Sequence, residues 1–403
     1  MLLSRCLLFV LHLARFAMSC NTSACPVCGD MRSGAPVLYT KLFVDGVGTT
    51  VGSMLHQIRY ARSAGFVYGG ATTDISVQPT GHRSGPVRHG VVEWKVIEFV
   101  FGTEHVMIAE SQLPRNVTTI SSARELQALD VATLNGPIWY TEKNVPTVTK
   151  LTTFSESSDA FLEQLRAGSR CFVDSYASRL AFRLHGVRVA LHLRRGDVDE
   201  HTQTESRWVS NTCALEVLAW TRRVLANHTF VDIHLFSSTE THGGRVPTKS
   251  SDFDVFRERA VSVHLDEGFN DPSGTDRTDL ALLHWSHFIS ADIFIGGLGS
   301  FSASPSFLNP NCVLMPTELV DGGVHHCYKM DETARKCILD AAARRTASFG
   351  ENETKAAKLE ARDVWQEAGK YSGNKQKKQK QQLSAFVAAA HAGAGGHHTK
   401  GGG

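Results

Sequence analysis

Between Val187 and Met315 the chain changes pattern on a regular beat, and that beat narrows the available folds more than any other feature of its 403 residues. Short β-branched and apolar runs, VRVALHL (187–193), VDIHLF (231–236), VSVHL (261–265), DIFIGG (292–297) and CVLM (312–315), read as strands. Between them, CALEVLAWTRRVLAN (213–227), SDFDVFRERA (251–260), DRTDLALLHWSHFISA (276–291) and SFSASPSFLN (300–309) read as helices or helical turns. Strands alternating with helices at this spacing form a parallel sheet covered on both faces. The C-terminal half is therefore expected to be Rossmann-like, with 187–340 as one domain.

The preceding part, 37–186, reads as a second α/β domain. VLYTKLFV (37–44) alternates as a strand, and DGVGTTVGSMLHQIRYARSAG (45–65) is a glycine-rich turn entering a helix that stops at Gly65. HVMIAE (105–110) is another strand, 111–155 carries no assignable pattern, and 159–186 reads as one long helix from an Asp159 cap to Gly186. From Ala341 the composition shifts, and 341–403 is expected to be a basic, low-complexity, disordered tail, with a charged helix possible over 351–371. That tail holds 11 Lys+Arg against 5 Asp+Glu, which leaves the other 340 residues at a net charge of −4. A mildly acidic body excludes the basic face of a nucleic-acid-binding fold. The Lys/Gln run of the tail is read as a solvated segment rather than an anion-binding one.

Residues 1–19 have an apolar stretch, Leu7 to Leu13, between Arg5 and Arg15, and small residues near Ser19. They read as a secretory signal peptide, or as a signal anchor that would tether the chain to a membrane, and the expected location is the ER or Golgi lumen or outside the cell. Eight cysteines remain beyond the leader, Cys20, Cys25, Cys28, Cys171, Cys213, Cys312, Cys327 and Cys337, an even number that suits a disulfide framework. Cys25-x-x-Cys28 has no second C-x-x-C to complete a zinc site, and the His-His-Cys of VHHCYK reads as part of a disulfide loop. Sequons at Asn21, Asn116, Asn227 and Asn352 are compatible with a lumenal protein.

The strand VALHL empties into Arg194, Arg195, Gly196 and Asp197. In an open α/β sheet ligands bind beyond the carboxyl ends of the strands. Guanidinium forks suit phosphate there, and Asp197 can orient an arginine or act as an acid/base group. The competing reading is a salt-bridged strand end in which Asp197 neutralises Arg195. Arg195-Gly196-Asp197 also spells an adhesion tripeptide, but a buried-looking strand running into it argues against that use. GGLGS (296–300) lacks the third glycine of a dinucleotide fingerprint, and Asp252-Phe253-Asp254 sits at a helix start rather than a strand end, where carboxylates serve the dipole.

HLRRGD resembles the H-x-R-R-x-D motif of the GDP-fucose-dependent fucosyltransferase superfamily, which spans α-1,2, α-1,6 and protein O-fucosyltransferases. Three further stretches fit in order: 45–65, where the usual Gly-Asn-Gln is replaced by Gly48-Thr49-Thr50; VDIHLFSSTE (231–240); and 284–309, with its Ser-Phe-Ser turn. The resemblance runs from Val37 to Pro316. It implies a GT-B-like fold of two Rossmann-like domains, an acceptor-side one and a C-terminal one that binds most of the donor. It also implies inverting transfer of fucose from GDP-fucose to a glycan or protein hydroxyl, with no metal or other cofactor. Carried over by position, Arg194 grips the diphosphate with Arg195 and His192 beside it, Ser300, Phe301 and Ser302 close the nucleotide pocket, and Gly48 belongs to the facing turn. Asp197 and Glu205 are the candidates for the general base, together with a base from the N-terminal domain. A catalytically silent relative that binds a glycan or protein partner is the alternative.

Overall fold

The computed structural model describes residues 34–42, 47–73, 92–102, 106–142, 159–183, 186–195, 198, 208–226, 230–239, 248–265, 277–320 and 325–348. Two five-stranded sheets, every described pairing in them parallel, organise the chain. Sheet A contains β1 (Val37–Lys41), β2 (Val67–Thr73), β3 (Met107–Ala109), β4 (Thr118–Ile120) and β5 (Ile138–Tyr140), in the order β3-β2-β1-β5-β4. Its helices are α1 (Val47–Ser63), α2 (Val92–Phe101) and the short α3 (Ala123–Ala128). After α4 (Asp159–Ser175) comes sheet B, built from β6 (Val187–His192), β7 (Val231–Ser237), β8 (Ser262–Leu265), β9 (Ile293–Ile295) and β10 (Cys312–Leu314). Its order is β10-β9-β6-β7-β8, and α5 (Asn211–Val224), α6 (Asp254–Arg257), α7 (Arg277–Ser290) and α8 (Ser300–Leu308) make the crossovers. A hairpin of β11 (Pro316–Val320) and β12 (His325–Tyr328) and a last helix α9 (Glu332–Ala347) complete the described chain. The expected GT-B-like α/β architecture with two Rossmann-like sheets is what the chain adopts.

The alternation of β6 explains how sheet B is covered. Val187, Val189 and Leu191 pack on one face with α5, α9 and Tyr328, while Ala190 belongs to the core on the other face with Phe236, Phe288 and Phe294. That second core is continuous with the one formed by Leu38, Val51, Met54, Ile58 and Val100 around sheet A, so the two sheets share a hydrophobic interior. Two disulfides fasten sheet B's outer layer. Cys213 of α5 joins Cys327 of β12 across 114 residues, and Cys312 of β10 joins Cys337 of α9. Closing a loop of that length removes roughly 4–5 kcal/mol of unfolded-state entropy in the chain-entropy account. Cys171 of α4 is also disulfide-bonded. Persistent disulfides belong to oxidising compartments. Among the described residues no helix is long and apolar enough to cross a membrane.

Several expectations need correction. The helix drawn over 159–186 ends at Ser175, followed by a 3-10 turn (Ala177–Arg179) and extended chain, and Asp159 lies in the helix rather than capping it. The unassigned stretch 111–155 contains β4, α3 and β5, elements of three to six residues too short to show a period. CVLM is not the last strand, because β11 and β12 follow. The ordered fold also passes the boundary placed at 340/341, since α9 continues to Ala347 and buries Ala341 and Ala342. The leader, Cys25-x-x-Cys28, the Lys/Gln run and the sequons at Asn21, Asn227 and Asn352 lie outside the described residues; Asn116 is exposed.

Candidate functional site

Sheet B has the strand order third-second-first-fourth-fifth, so its topological switch point falls between β6 and β9. Crossovers leave these two neighbours on opposite faces, and a crevice opens beyond their carboxyl ends. His192 to Arg195 leave β6 there, and Gly296 to Gly299 lead from β9 into α8 there.

The two arginines go different ways. A Cβ on Gly299 would stand 2.6 Å from Arg194 Nη1, and Gly299 has φ +126°, so only glycine lets this guanidinium lie against the helix start. Gly299 is also the N-cap of α8 and offers no side-chain cap. The first N–H groups of that helix, at the positive end of its dipole, therefore lie beside Arg194, which is half-buried. Arg195 is turned away and 5% exposed. Its Nη2 donates to the Val209 carbonyl at 2.9 Å and Asn211 Oδ1 at 2.7 Å, its Nη1 donates to the Arg194 carbonyl at 2.8 Å, and its carbon Cζ lies 3.7 Å from the Trp208 ring centroid. Arg195 fastens the β6 end to the α5 entrance; it does not stand beside Arg194 over the crevice.

His192, Phe301 and Ser302 form the layer beneath. Ser302 is fully buried, and its Oγ accepts from the Gly297 N–H at 2.9 Å and lies 2.5 Å from His192 Nδ1. The Phe301 ring packs against His192 at 5.3 Å and Trp285 at 5.7 Å. These side chains fix the Gly296–Gly299 turn relative to β6. Tyr328, which nothing in the sequence singled out, does the same from the other side by donating its hydroxyl to the Gly296 carbonyl at 3.0 Å.

Sheet A contributes the opposite wall. A Cβ on Gly48 would lie 2.5 Å from the Phe301 backbone nitrogen and closer still to the Ser300 carbonyl carbon, so glycine permits the first turns of α1 and α8 to touch. Ser304 Oγ donates to the Gly48 carbonyl at 3.2 Å, and the hydroxyls of Thr49 and Ser300 are 3.1 Å apart. Two helix N-termini from different sheets thus meet at one place with Arg194 at hand. Backbone N–H groups, hydroxyls and one guanidinium make a receptor for a compact anion. Gly196, Asp197 and Glu205 lie outside the described residues.

Below this layer, on the α7 side, is a histidine cluster that sequence reasoning missed. His284 is pushed down to about 3 and His287 to about 4, in each case chiefly by burial, with repulsion from neighbouring histidines adding to it. Burial alone would raise Asp232, but the hydrogen bond and charge of His234, 3.1 Å away, and the Arg183 backbone N–H hold its carboxyl below the ordinary value.

No protein-family model matches the chain, and no curated protein sequence does. Among solved structures, POFUT1 in complex with GDP aligns at 12% identity over 69% of this chain and 98% of that one, with a TM-score of 0.38. POFUT1 in complex with GDP-fucose gives 11%, 69%, 98% and 0.35. A mutant of Arabidopsis thaliana FUT1 in complex with GDP gives 10%, 74% of each chain and 0.38. Scores this low carry no weight beside the strand order and the site geometry.

Proposed function

We propose that this protein is an inverting, metal-independent fucosyltransferase that moves fucose from GDP-fucose to a glycan or protein hydroxyl in the secretory pathway. The observation that carries the reading is the Arg194 guanidinium lying against Gly299 at the uncapped start of α8, faced by Gly48 and Thr49 of α1. In such a transfer the bond between the sugar's anomeric carbon and the β-phosphate oxygen breaks, and negative charge grows on the diphosphate. Arg194 and the first N–H groups of α8 stabilise that charge in place, which is the work an oxyanion site or a divalent cation does elsewhere. The acceptor hydroxyl attacks from the opposite face and gives its proton to a base, for which Asp197 and Glu205 remain the candidates. The disulfides support a lumenal location.

A catalytically silent relative has one observation in its favour. Where the resembled family has Gly-Asn-Gln, this chain has Thr49, whose hydroxyl is already engaged with Ser300.

Titration calorimetry with GDP in the presence of EDTA tests the donor site. Wild type should bind, and Arg194→Ala should lose charge-assisted hydrogen bonds worth about 1.5–3 kcal/mol each, with the circular dichroism spectrum unchanged. Binding that requires Mn²⁺ or Mg²⁺, or that survives the substitution, overturns the assignment. Slow acceptor-free hydrolysis of GDP-fucose then separates the active enzyme from the silent binder.

A further inference from the structure

Helices that cross between parallel strands run back to the amino end of the sheet, so the edge of sheet B opposite Arg194 collects their C-termini. Seven arginines gather along it: Arg183, Arg188, Arg222, Arg223, Arg259, Arg344 and Arg345. Their contacts place them. Arg345 Nε donates to the Gly186 carbonyl at 3.1 Å, just ahead of β6, and the Arg183 backbone N–H donates to Asp232 at 2.7 Å, at the start of β7. Arg222 Nη2 donates to the Arg259 carbonyl at 2.7 Å, just ahead of β8. The row therefore follows β9, β6, β7 and β8, about 14 Å at the usual strand spacing.

Among the described residues, acids in the same segments balance it only in part, four against seven. Asp232 and Asp292 are buried and accept from the backbone N–H of Arg183 and Arg188 respectively, and Asp292 Oδ2 also lies 3.6 Å from Arg345 Nε, so these two carboxylates offset part of the row from beneath. Glu258 and Asp340 are the exposed ones, and Arg257 is matched by Asp254 at 2.7 Å. Four of the seven arginines, Arg183, Arg223, Arg259 and Arg344, are exposed. Cations at helix C-termini complement the dipole, but a helix end carries only about half a charge, against two arginines each on α5 and α9. The Nε of Arg188 is buried without a hydrogen-bond partner. Burial first, then Arg259, lowers Arg222, and burial first, then Arg188, lowers Arg345 against the opposing pull of Asp292. Seven guanidinium groups on one edge stand out on a body, residues 1–348, that holds 33 Lys+Arg against 35 Asp+Glu.

We propose that this edge is a second binding surface, one that takes the sulfate or carboxylate groups of an anionic polysaccharide. Guanidinium forks match both groups bidentately. The disulfides point to an oxidising compartment, where acidic polysaccharides, not nucleic acids, are the polyanions at hand. The surface lies at the far side of the sheet from Arg194, so it stands independently of the donor-site reading.

The test uses the full chain and heparin as probe. The triple variant Arg223→Glu, Arg259→Glu, Arg344→Glu should bind heparin about tenfold more weakly or worse at 0.15 M salt, with a shallower salt dependence. Its GDP affinity and circular dichroism should not change. If the triple variant fails to fold, Arg344→Glu alone carries the test with a smaller shift in the same direction. A variant with Lys375, Lys377, Lys378 and Lys380 changed to Gln should keep most of the wild-type heparin affinity. Three results overturn the proposal: heparin affinity indifferent to the arginine changes, affinity residing in the lysine run alone, or duplex DNA bound as tightly and through the same arginines.

Discussion

Sheet A runs third-second-first-fifth-fourth and sheet B third-second-first-fourth-fifth, so the two differ only in the order of their last pair of strands. The consequence shows at the switch points. Beside β1 in sheet A stands β5, whose end is filled by the protein's own groups. Glu142 Oε2 accepts from the Tyr140 hydroxyl at 2.8 Å and from the Ala123 N–H of α3 at 2.8 Å. Thr40, Gln57 and Tyr68 satisfy one another nearby, with 2.7 Å between Thr40 Oγ1 and Gln57 Oε1. Beside β6 in sheet B stands β9, which leads through glycines into a helix with no side-chain cap and a guanidinium laid against it. The same architecture thus gives, among the described residues, one switch point filled by the protein's own side chains and one prepared for a ligand. Strand order sets the difference: the strand beside β6 leads directly into the α8 start, whose first N–H groups join the α1 start at the crevice.

Acid should separate the two sheets by the largest margin. His284 and His287 have their folded values lowered from 6.5 to about 3 and about 4, and both pack on sheet B. Below pH 6.5 the unfolded chain takes up protons that the fold refuses, so the penalty is absent above that pH and grows as pH falls toward 4. At pH 5 each costs about 2 kcal/mol, about 4 together. Guanidinium midpoints should therefore drop between pH 7 and 5. Hydrogen exchange should localise the loss to β7 and β8 before β1 and β5. Flat stability over that range, or sheet A opening first, would break the contrast.

Much of this was legible in the sequence, because β6, β7, α5 and α7 are long enough to display their periods, the three-residue β9 and β10 fall where that alternation calls for strands, and α1 ends at a readable glycine. β4 and β5 were not, since three residues cannot establish alternation, and neither were β11, β12 and α9, whose places depend on the cysteines of β10 and α5. At the site, the edge was legible and the division of labour was not. Nothing local distinguishes Arg194 from Arg195. Trp208, Val209 and Asn211, more than a dozen residues further on, decide which of the two is consumed as a brace.

That division supplies the next prediction, of intermediate size. Arg195→Ala removes three hydrogen bonds and a ring contact from a buried group, leaving the Val209 carbonyl and Asn211 without this donor. It should lower the unfolding free energy by about 2–4 kcal/mol while GDP affinity stays within about threefold of wild type. Arg194→Ala should do the opposite. Denaturant titration and calorimetry on the two variants read both quantities, and a GDP defect in folded Arg195→Ala at constant stability would return Arg195 to the ligand.

The smallest expected effect probes the meeting of the two sheets. Ser300 has its hydroxyl 3.1 Å from that of Thr49 and its backbone under Gly48, while Arg194 lies against the preceding residue. If a diphosphate binds there, Ser300 and Arg194 act on one group, and Ser300→Ala alone should cost GDP affinity only about 0.5–1 kcal/mol. The informative quantity is the coupling. In a double-mutant cycle the two substitutions should be non-additive by about 0.5 kcal/mol or more, because neighbours sharing a ligand do not act independently. Thr49→Val should reproduce part of the Ser300→Ala loss, since it removes the hydroxyl that orients Ser300. Strict additivity, with Thr49→Val silent, would put Arg194 and the α8 start at separate tasks, and the receptor between the two helix N-termini would not be the donor site.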